Sequence, residues 1–317
     1  MRVAVTSPFF HLLPYLQEEL LSKYPDSKFK DTFDPLNKAD FVEFCKGYDA
    51  ALIGLDRIDD EVLTALPELK IIALCSAGAD HLDPVALKKR GVRMGWVAGI
   101  NKDAVAEMTI STMINILRNF HNLSERLHKG EWPKRRGGGS LLKGKIVGLH
   151  GCGNVGKEVV KRLQPFKVEI IAHDREDYSD FYSEFNVKAV STADLWKESD
   201  IISIHVSRNS STIGLYDEIV LDKLKQGVYL VNTSRGRIVD EKALYDRLKS
   251  GVISAAHMDV FEVEPVPGVL DLFKLPNFMG TPHTGAGAKE AWEIMARSGI
   301  NNLVDNWIPE PGVYPYD

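Results

Sequence analysis

Two series of alternating apolar runs and amphipathic segments occupy most of the chain, and this alternation limits the fold more than any other feature. In the first hundred residues, short strand-like runs are each followed by a segment with helical spacing, as in RVAVTS before LPYLQEELLSKY. The second series begins at KIVGLHG and runs to NFMGTPH. Strands that alternate with helices predict parallel sheets covered by helices on both faces. We therefore expect an α/β protein with two doubly wound parallel-sheet domains.

One long helical segment joins the two series, and another helix ends the chain. Residues 102 to about 129 keep apolar positions at helical spacing, which predicts an element that crosses from a first domain into a second. The last helical pattern, AKEAWEIMARSGINNLVDNW, is followed by no strand, so we expect it to pack back on the first domain. The predicted domains are residues 1–100 with 287–317, and residues 101–286, with a cleft between them that hinge motion can close.

Length and charge narrow the class of protein. Acidic and basic residues are interspersed and the net charge is −5, so no broad positive field favours nucleic acid or an anionic membrane. No apolar run is long enough to span a membrane, and MRVAVTSPFF lacks the pattern of a signal peptide. Three cysteines without C-x-x-C spacing argue against disulfides and against a metal site. We expect a soluble cytoplasmic protein without a metal, whose partner is a small molecule.

A glycine-rich loop opens the second series. GLHGCGNVGKEVV places Gly151, Gly153 and Gly156 in G-x-G-x-x-G spacing, after a strand pattern and at the start of a helix. In that context the glycines allow a tight turn and close approach of a pyrophosphate to the helix N-terminus. Asp174 ends the next strand, where a carboxylate can accept hydrogen bonds from an adenosine ribose. The second domain is therefore predicted to bind a dinucleotide, and Asp174 favours NAD over NADP although Arg175 stands beside it.

Three polar residues follow three later strand patterns. Arg235 comes after the apolar run VYLVN and before a helix that Asp240 caps, while Glu264 and His283 follow SAAHMDV and NFMG. Ligands of open parallel sheets bind outside the carboxyl ends of the strands, so one crevice can hold all three side chains.

These residue types suit hydride transfer between a nicotinamide and a 2-oxo or 2-hydroxy acid. Arg235 would hold the substrate carboxylate and polarise its carbonyl group. His283 would exchange a proton with the carbonyl oxygen, and Glu264 would fix its tautomer and favour the charged imidazole. Asp259 is expected to orient the nicotinamide carboxamide. His205 also ends a strand and is the nearest alternative to His283, but cofactor contact suits its position better.

At this point the sequence resembles the D-isomer-specific 2-hydroxyacid dehydrogenase family. GCGNVG, NTSRGRIVDEKAL, DVFEVEP and TPHTG stand in the order of that family's motifs, and SAGADHLD and GINKDAVAEMT match its first-domain signatures. The resemblance implies a Rossmann-type cofactor domain, a flavodoxin-like substrate domain and a homodimer built largely through the cofactor domain. It implies Arg235, Glu264 and His283 as catalytic residues, and Ala77 and Gly78 as backbone contacts to the substrate carboxylate together with Arg235 and His283.

The cofactor residues that we assign from motif and resemblance together form a larger set. They are Gly151, Gly153, Asn154, Val155, Gly156, Asp174, His205, Thr233, Ser234, Arg235, Asp259, His283, Gly285 and, near the cofactor phosphates, Thr109.

Two segments depart from the family pattern. VSRNSST stands after His205 where the family has a proline-containing turn, so the loop on the nicotinamide side is expected to differ and Arg208 to make a new contact. WPKRRGGGS, around residues 134–139, is unusually basic and glycine-rich. It would either recognise an extra anionic group on the substrate or form a solvated loop, and we favour the solvated loop.

The sequence leaves three functions open. The leading hypothesis is an NAD-dependent dehydrogenase of a small 2-hydroxy acid of D configuration. The family also contains transcriptional corepressors that keep the fold, but they typically carry extra tails, which favours the enzyme here. Oxidation of formate or phosphite is the third possibility. The identity of the acid, the physiological direction and the pathway are not determined by these motifs.

Overall fold

The computed structural model describes residues 1–134 and 138–315. The prediction for the basic loop at 134–139 depends on residues 135–137, which lie outside the described residues.

Helices and strands alternate along the chain as the sequence pattern predicts. Up to residue 101 the elements are β1 (Val3–Val5), α1 (Phe9–Leu12), α2 (Tyr15–Lys23), β2 (Lys28–Phe29), α3 (Lys38–Cys45), β3 (Ala50–Ile53), α4 (Asp60–Ala65), β4 (Ile71–Leu74), α5 (Pro84–Arg90) and β5 (Arg93–Gly95). Residues 102 to 190 form α6 (Lys102–Arg118), α7 (Phe120–His128), β6 (Ile146–His150), α8 (Asn154–Leu163), β7 (Glu169–His173), α9 (Ser179–Phe185) and β8 (Val187–Ala189), with a 3-10 turn at Gln164–Phe166. The remaining elements are α10 (Thr192–Glu198), β9 (Ile201–Ile204), α11 (Glu218–Leu221), β10 (Val228–Asn232), α12 (Glu241–Ser250), β11 (Ile253–Met258), β12 (Phe278–Gly280) and α13 (Lys289–Asn302), with a 3-10 turn at Asp271–Lys274.

The strands form two parallel sheets. Five strands pair in the order β2-β1-β3-β4-β5, and seven pair in the order β12-β11-β10-β9-β6-β7-β8. The first order is that of flavodoxin-like sheets, and the second is the doubly wound order of Rossmann-type sheets extended by one strand. The predicted fold class is therefore confirmed.

The chain divides into two compact units, each with its own core. Residues 1–101 and the segment that begins at Gly287 form one unit, and Lys102–Ala286 form the other. In each unit buried aliphatic side chains cover both faces of the sheet, as expected for strands with helices on either side. α13 packs on β4 within the first unit. The assignment of the second unit to cofactor binding and of the first to substrate binding stays a prediction.

The long helical segment after residue 102 differs from its prediction. The structure has two helices there, because Asn119 adopts a left-handed conformation with φ of 52° and interrupts the helical hydrogen-bond series. The side chain of Asn115 accepts a hydrogen bond from the backbone of His121 and stabilises the start of α7. Asparagine tolerates this backbone region better than most residues, so spacing of apolar positions alone did not reveal the break.

Within the described ranges, no helix combines the length and the apolar character that a membrane crossing requires.

Candidate active site

The glycine loop between β6 and α8 has the shape of a phosphate cradle. Gly151 has φ of 95°, and a Cβ there would approach the backbone of His205 to 2.7 Å. A Cβ on Gly156 would lie 2.5 Å from the carbonyl oxygen of Gly151, whereas at Gly153, the N-cap of α8, it would meet no described atom within 4 Å. The first and third glycines are thus required by crowding, and the middle one leaves the helix N-terminus open. These residues fit a bound pyrophosphate, because the first N–H groups of a helix attract anions.

Asp174 lies at the end of β7 and is fixed to the glycine loop. Its Oδ2 accepts a hydrogen bond from the backbone N–H of Cys152 at 2.5 Å, and its Oδ1 accepts one from the backbone N–H of Glu176. The neighbouring Arg175 pairs with Glu176 at 3.4 Å. A cavity of about 390 Å³ opens beside Asp174 and is lined in part by Tyr178 and Tyr182. The predicted contact of Asp174 with an adenosine ribose stays a prediction.

Arg235 lies on the loop between β10 and α12, and a local hydrogen-bond network fixes its backbone. Asn232 donates from Nδ2 to the carbonyl oxygen of Arg235 at 3.0 Å, and its Oδ1 accepts from both the N–H and the hydroxyl of Ser234. The next residue, Gly236, packs so tightly that a Cβ would overlap the carbonyl oxygen of Phe261. This contact joins the loop of Arg235 to the loop that follows β11.

Glu264 and His283 form a hydrogen-bonded pair. His283 Nδ1 lies 2.7 Å from Glu264 Oε2, and the other carboxylate oxygen accepts the backbone N–H of Phe261 at 2.8 Å. Burial raises the pKa of Glu264, but the hydrogen bond and charge of His283, the N–H of Phe261 and the charge of Arg235 outweigh it, so the pKa lies below its ordinary value. The carboxylate is thus ionised and holds Nδ1, which leaves Nε2 of the imidazole for other chemistry.

Asp259 organises the loop that carries His283. Its Oδ1 accepts hydrogen bonds from the hydroxyl of Thr281 at 2.5 Å and from the N–H of Thr284 at 2.8 Å, and its Oδ2 accepts the N–H of Gly285 at 2.8 Å. Its carbonyl oxygen accepts the N–H of His283 at 2.7 Å. Asp259 is 1% exposed, and both carboxylate oxygens are engaged within the protein. Its predicted contact to a nicotinamide carboxamide stays a prediction.

Other predicted cofactor residues lie around these loops. Thr109 is fully buried on α6, and its hydroxyl is 3.0 Å from that of Thr233 after β10. Partly buried His205 places Nε2 2.8 Å from the hydroxyl of Ser203, and burial lowers its pKa to about 4. At neutral pH His205 is therefore uncharged. The predicted contacts of Thr109, Thr233 and His205 with the cofactor stay predictions.

The predicted substrate contacts of the first unit follow β4. The carbonyl oxygen of Ala77 accepts a hydrogen bond from the indole of Trp96, and that of Gly78 accepts one from the hydroxyl of Ser76. These bonds fix the turn through the carbonyl groups. The proposed role of both residues toward a substrate carboxylate is carried by the resemblance.

Sequence reasoning missed Thr281 and Thr284 as parts of the site. Both flank His283 in TPHTG, and their hydroxyls were the signal that could have indicated a polar anchor in that loop.

Among residues 1–134 and 138–315, no three histidine, cysteine or acidic side chains lie close enough together to hold a metal ion.

Comparison with known proteins shows that the chain is similar to dehydrogenases and reductases. The family model described as "D-isomer specific 2-hydroxyacid dehydrogenase, NAD binding domain" matches residues 110–285, more than half of the chain. A glyoxylate reductase of Thermofilum pendens is 37% identical over 276 residues, covering 85% of this chain and 81% of that protein. A hydroxypyruvate reductase of Thermotoga maritima is 35% identical over 285 residues, covering 89% of this chain and 91% of that protein. The structure of an NAD-dependent formate dehydrogenase from Staphylococcus aureus in complex with NAD has a TM-score of 0.83 and 25% identity, covering 96% of this chain and 94% of that one.

Proposed function

The chain belongs to the D-isomer-specific 2-hydroxyacid dehydrogenase family, and from that premise we propose that Arg235, Glu264 and His283 reduce small 2-oxo acids with NADH. Bound NADH supplies the hydride. One observation carries the proposal, namely the hydrogen-bonded pair of Glu264 and His283 at the carboxyl end of the sheet that also holds the glycine loop and Arg235.

Arg235 binds the substrate carboxylate and polarises the adjacent carbonyl group. A guanidinium presents planar, paired donors that match a carboxylate, and it remains charged at any working pH. The backbone network around Asn232 holds the loop in position, so the donors need little rearrangement when substrate binds. Negative charge that develops on the carbonyl oxygen during reduction is stabilised by the same group.

His283 gives its proton from Nε2 to the carbonyl oxygen and takes it back in the reverse reaction. Glu264 accepts the Nδ1 hydrogen, and this bond fixes both the ring orientation and the tautomer in which Nε2 faces the substrate.

The substrate that we propose is glyoxylate or hydroxypyruvate, reduced to a hydroxy acid of D configuration where the product is chiral. The names of two relatives support this choice, since one is a glyoxylate reductase and another a hydroxypyruvate reductase. A screen of glyoxylate, hydroxypyruvate and pyruvate with NADH, and of formate with NAD, tests it, followed by chiral analysis of the glycerate formed. If the protein oxidised formate and reduced none of the three 2-oxo acids, formate oxidation would replace the proposed function.

NADH is proposed as the preferred cofactor over NADPH. Both oxygens of Asp174 accept backbone N–H groups, so the carboxylate cannot easily rotate away from a 2′-phosphate, which would meet a like charge. Arg175, the cation that the sequence places beside it, is paired with Glu176. Comparing the catalytic efficiency with both reduced cofactors decides the preference.

We also propose a cytoplasmic homodimer, formed through α7 of the second unit. This helix has no fully buried residue, and the side chains of Phe120 and Leu127 are 46% and 50% exposed, with Trp132 at 79% just after it. Exposed apolar side chains that lie near each other along the chain in this way are suited to packing against a second copy of the chain. Light scattering of Leu127→Glu, compared with the matched surface change Ser124→Glu on the same helix, tests the interface. Equal masses for wild type and Leu127→Glu would contradict it, and cell fractionation tests the location.

The catalytic roles are tested with three variants in both reaction directions. His283→Ala should remove most turnover with a smaller effect on substrate affinity, and Arg235→Ala should weaken both. Arg235→Lys keeps the charge but loses the paired donors, so partial activity there would separate charge from geometry. NADH binding by fluorescence and thermal unfolding show whether each variant remains folded. Near-normal turnover in His283→Ala would exclude the proton-donor role.

A further inference from the structure

A histidine buried inside β11 is connected to the loop of His283 by a chain of hydrogen bonds. His257 is 0% exposed, and its Nε2 lies 3.1 Å from the hydroxyl oxygen of Thr281. That hydroxyl in turn donates to Asp259 Oδ1 at 2.5 Å. Asp259 then accepts the backbone N–H groups of Thr284 and Gly285.

The direction of these bonds determines the tautomer of His257. A threonine hydroxyl has a single hydrogen, and Thr281 uses it on the carboxylate of Asp259. The bond between His257 and Thr281 can therefore form only if Nε2 carries the imidazole hydrogen and donates it. Nδ1 is then a bare acceptor, and among the described residues it has no hydrogen-bond partner. Burial lowers the pKa of His257 to about 3, with a smaller effect of His121, so the ring stays neutral at working pH.

The loop that receives this bond holds His283 in an uncommon backbone conformation. His283 has φ of 52°, in the left-handed region that costs free energy for a residue with a Cβ. Such a conformation persists only where several contacts fix it. The contacts here are the two backbone bonds from His283 N–H to the carbonyl oxygens of Asp259 and Thr281, at 2.7 and 3.0 Å, and the bonds to the carboxylate of Asp259.

We propose that His257 is a positioning residue for the catalytic proton transfer, acting through Thr281 and Asp259 on the backbone of His283. Its Nε2–H directs the hydroxyl of Thr281 toward Asp259, which keeps the carboxylate oriented for the loop. Loss of this donor leaves Thr281 free to rotate and loosens the conformation that aims the imidazole of His283. The inference rests on the proposed function, in which His283 exchanges the proton.

Two substitutions at the same position separate hydrogen bonding from packing. His257→Met has a similar volume and no donor, whereas His257→Gln places an amide Nε2–H near the position of the imidazole Nε2–H. We expect His257→Met to lower kcat about 10- to 100-fold, with KM and the NADH dissociation constant changed about threefold or less. His257→Gln should restore kcat to within about threefold of wild type. Met258→Leu, the next residue on the strand, is the matched control for disturbance of a buried side chain and should leave kcat unchanged.

A second pair keeps the test decisive if His257→Met fails to fold. Thr281→Val removes the hydroxyl and should lower kcat like His257→Met, while Thr281→Ser keeps the hydroxyl and should retain activity. Equal kcat in His257→Met and wild type, no rescue by glutamine, or equal activity of the two Thr281 variants would overturn the inference. His283→Ala is measured in parallel, because near-normal turnover there would remove the proposed function itself, independently of His257.

Discussion

Glu264→Gln is the substitution that most directly tests the charge of the Glu264–His283 pair. Glutamine keeps an oxygen that can accept the Nδ1 hydrogen of His283, so the tautomer and ring orientation are preserved while the negative charge is removed. Reduction needs a protonated donor, and the substitution removes the negative charge that lies 2.7 Å from Nδ1 of His283. The alkaline limb of the reduction profile should therefore move to lower pH, and the acid limb of the oxidation profile should move in the same direction.

The size of this shift follows from the exposure of the pair. The two side chains are 35% and 34% exposed and the nitrogen–oxygen distance is 2.7 Å. Exposed ion pairs contribute about 0.2–1 kcal/mol, and hydrogen bonds to charged groups contribute about 1.5–3 kcal/mol. We take a value between these ranges, about 1.4 kcal/mol, for the contribution of the Glu264 charge. This free energy corresponds to a displacement of both profile limbs by about one pH unit.

The assay is the pH dependence of kcat/KM in both directions for wild type and Glu264→Gln. Glu262→Gln is the matched control, because it removes a carboxylate from the same loop. The Oε1 atom of Glu262 accepts the N–H of Glu241, whereas the imidazole of His283 is hydrogen-bonded to Glu264. Limbs that stay in place in Glu264→Gln, or that move to higher pH, would refute the reasoning. A shift of equal size in Glu262→Gln would show that the overall negative charge of the loop, and not the contact of Glu264 with His283, causes the displacement of the pH profile.

Further substitutions test other parts of the molecule. Asp174→Ala should narrow the preference for NADH over NADPH, and an unchanged ratio of catalytic efficiencies would assign the preference elsewhere. Gly151→Ala should weaken NADH binding at least about 10-fold, because φ of 95° and the 2.7 Å approach to His205 exclude a Cβ; fluorescence titration measures this. Burial lowers the pKa of His150 to about 4, whereas an unfolded histidine binds a proton as pH falls through about 6.5. As pH falls from about 6.5 to about 4, protonation of His150 in the unfolded state should therefore lower the free energy of unfolding by up to about 1.4 kcal/mol per pH unit. His150→Gln should make the free energy of unfolding less dependent on pH in this range, as measured by denaturant titrations.

The sequence by itself determined the fold class and the order of the elements. Alternation of apolar runs with helical spacing is a local pattern, and parallel strands need a crossover between them, so a doubly wound fold follows from it directly. Local chemistry also defined the termini of α12, where the side chain of Asp240 accepts the N–H of Ala243 and Gly251 is left-handed. The glycine spacing and the strand-end positions of Arg235, Glu264 and His283 could be read in the same way.

Tertiary structure decided the features that depend on contacts between distant segments. The pairing of Glu264 with His283 joins loops after two neighbouring strands, and only the register of the sheet brings those loops together. The left-handed His283 was not predictable, because no local signal distinguishes it from other histidines and its conformation is fixed by Asp259, 24 positions earlier in the chain. No local pattern in the sequence indicates the bond of His257, since its partner is one hydroxyl that follows the adjacent strand. Secondary structure depends on residues that are neighbours in the sequence. The direction of a buried hydrogen bond depends instead on the partner that tertiary packing brings into contact.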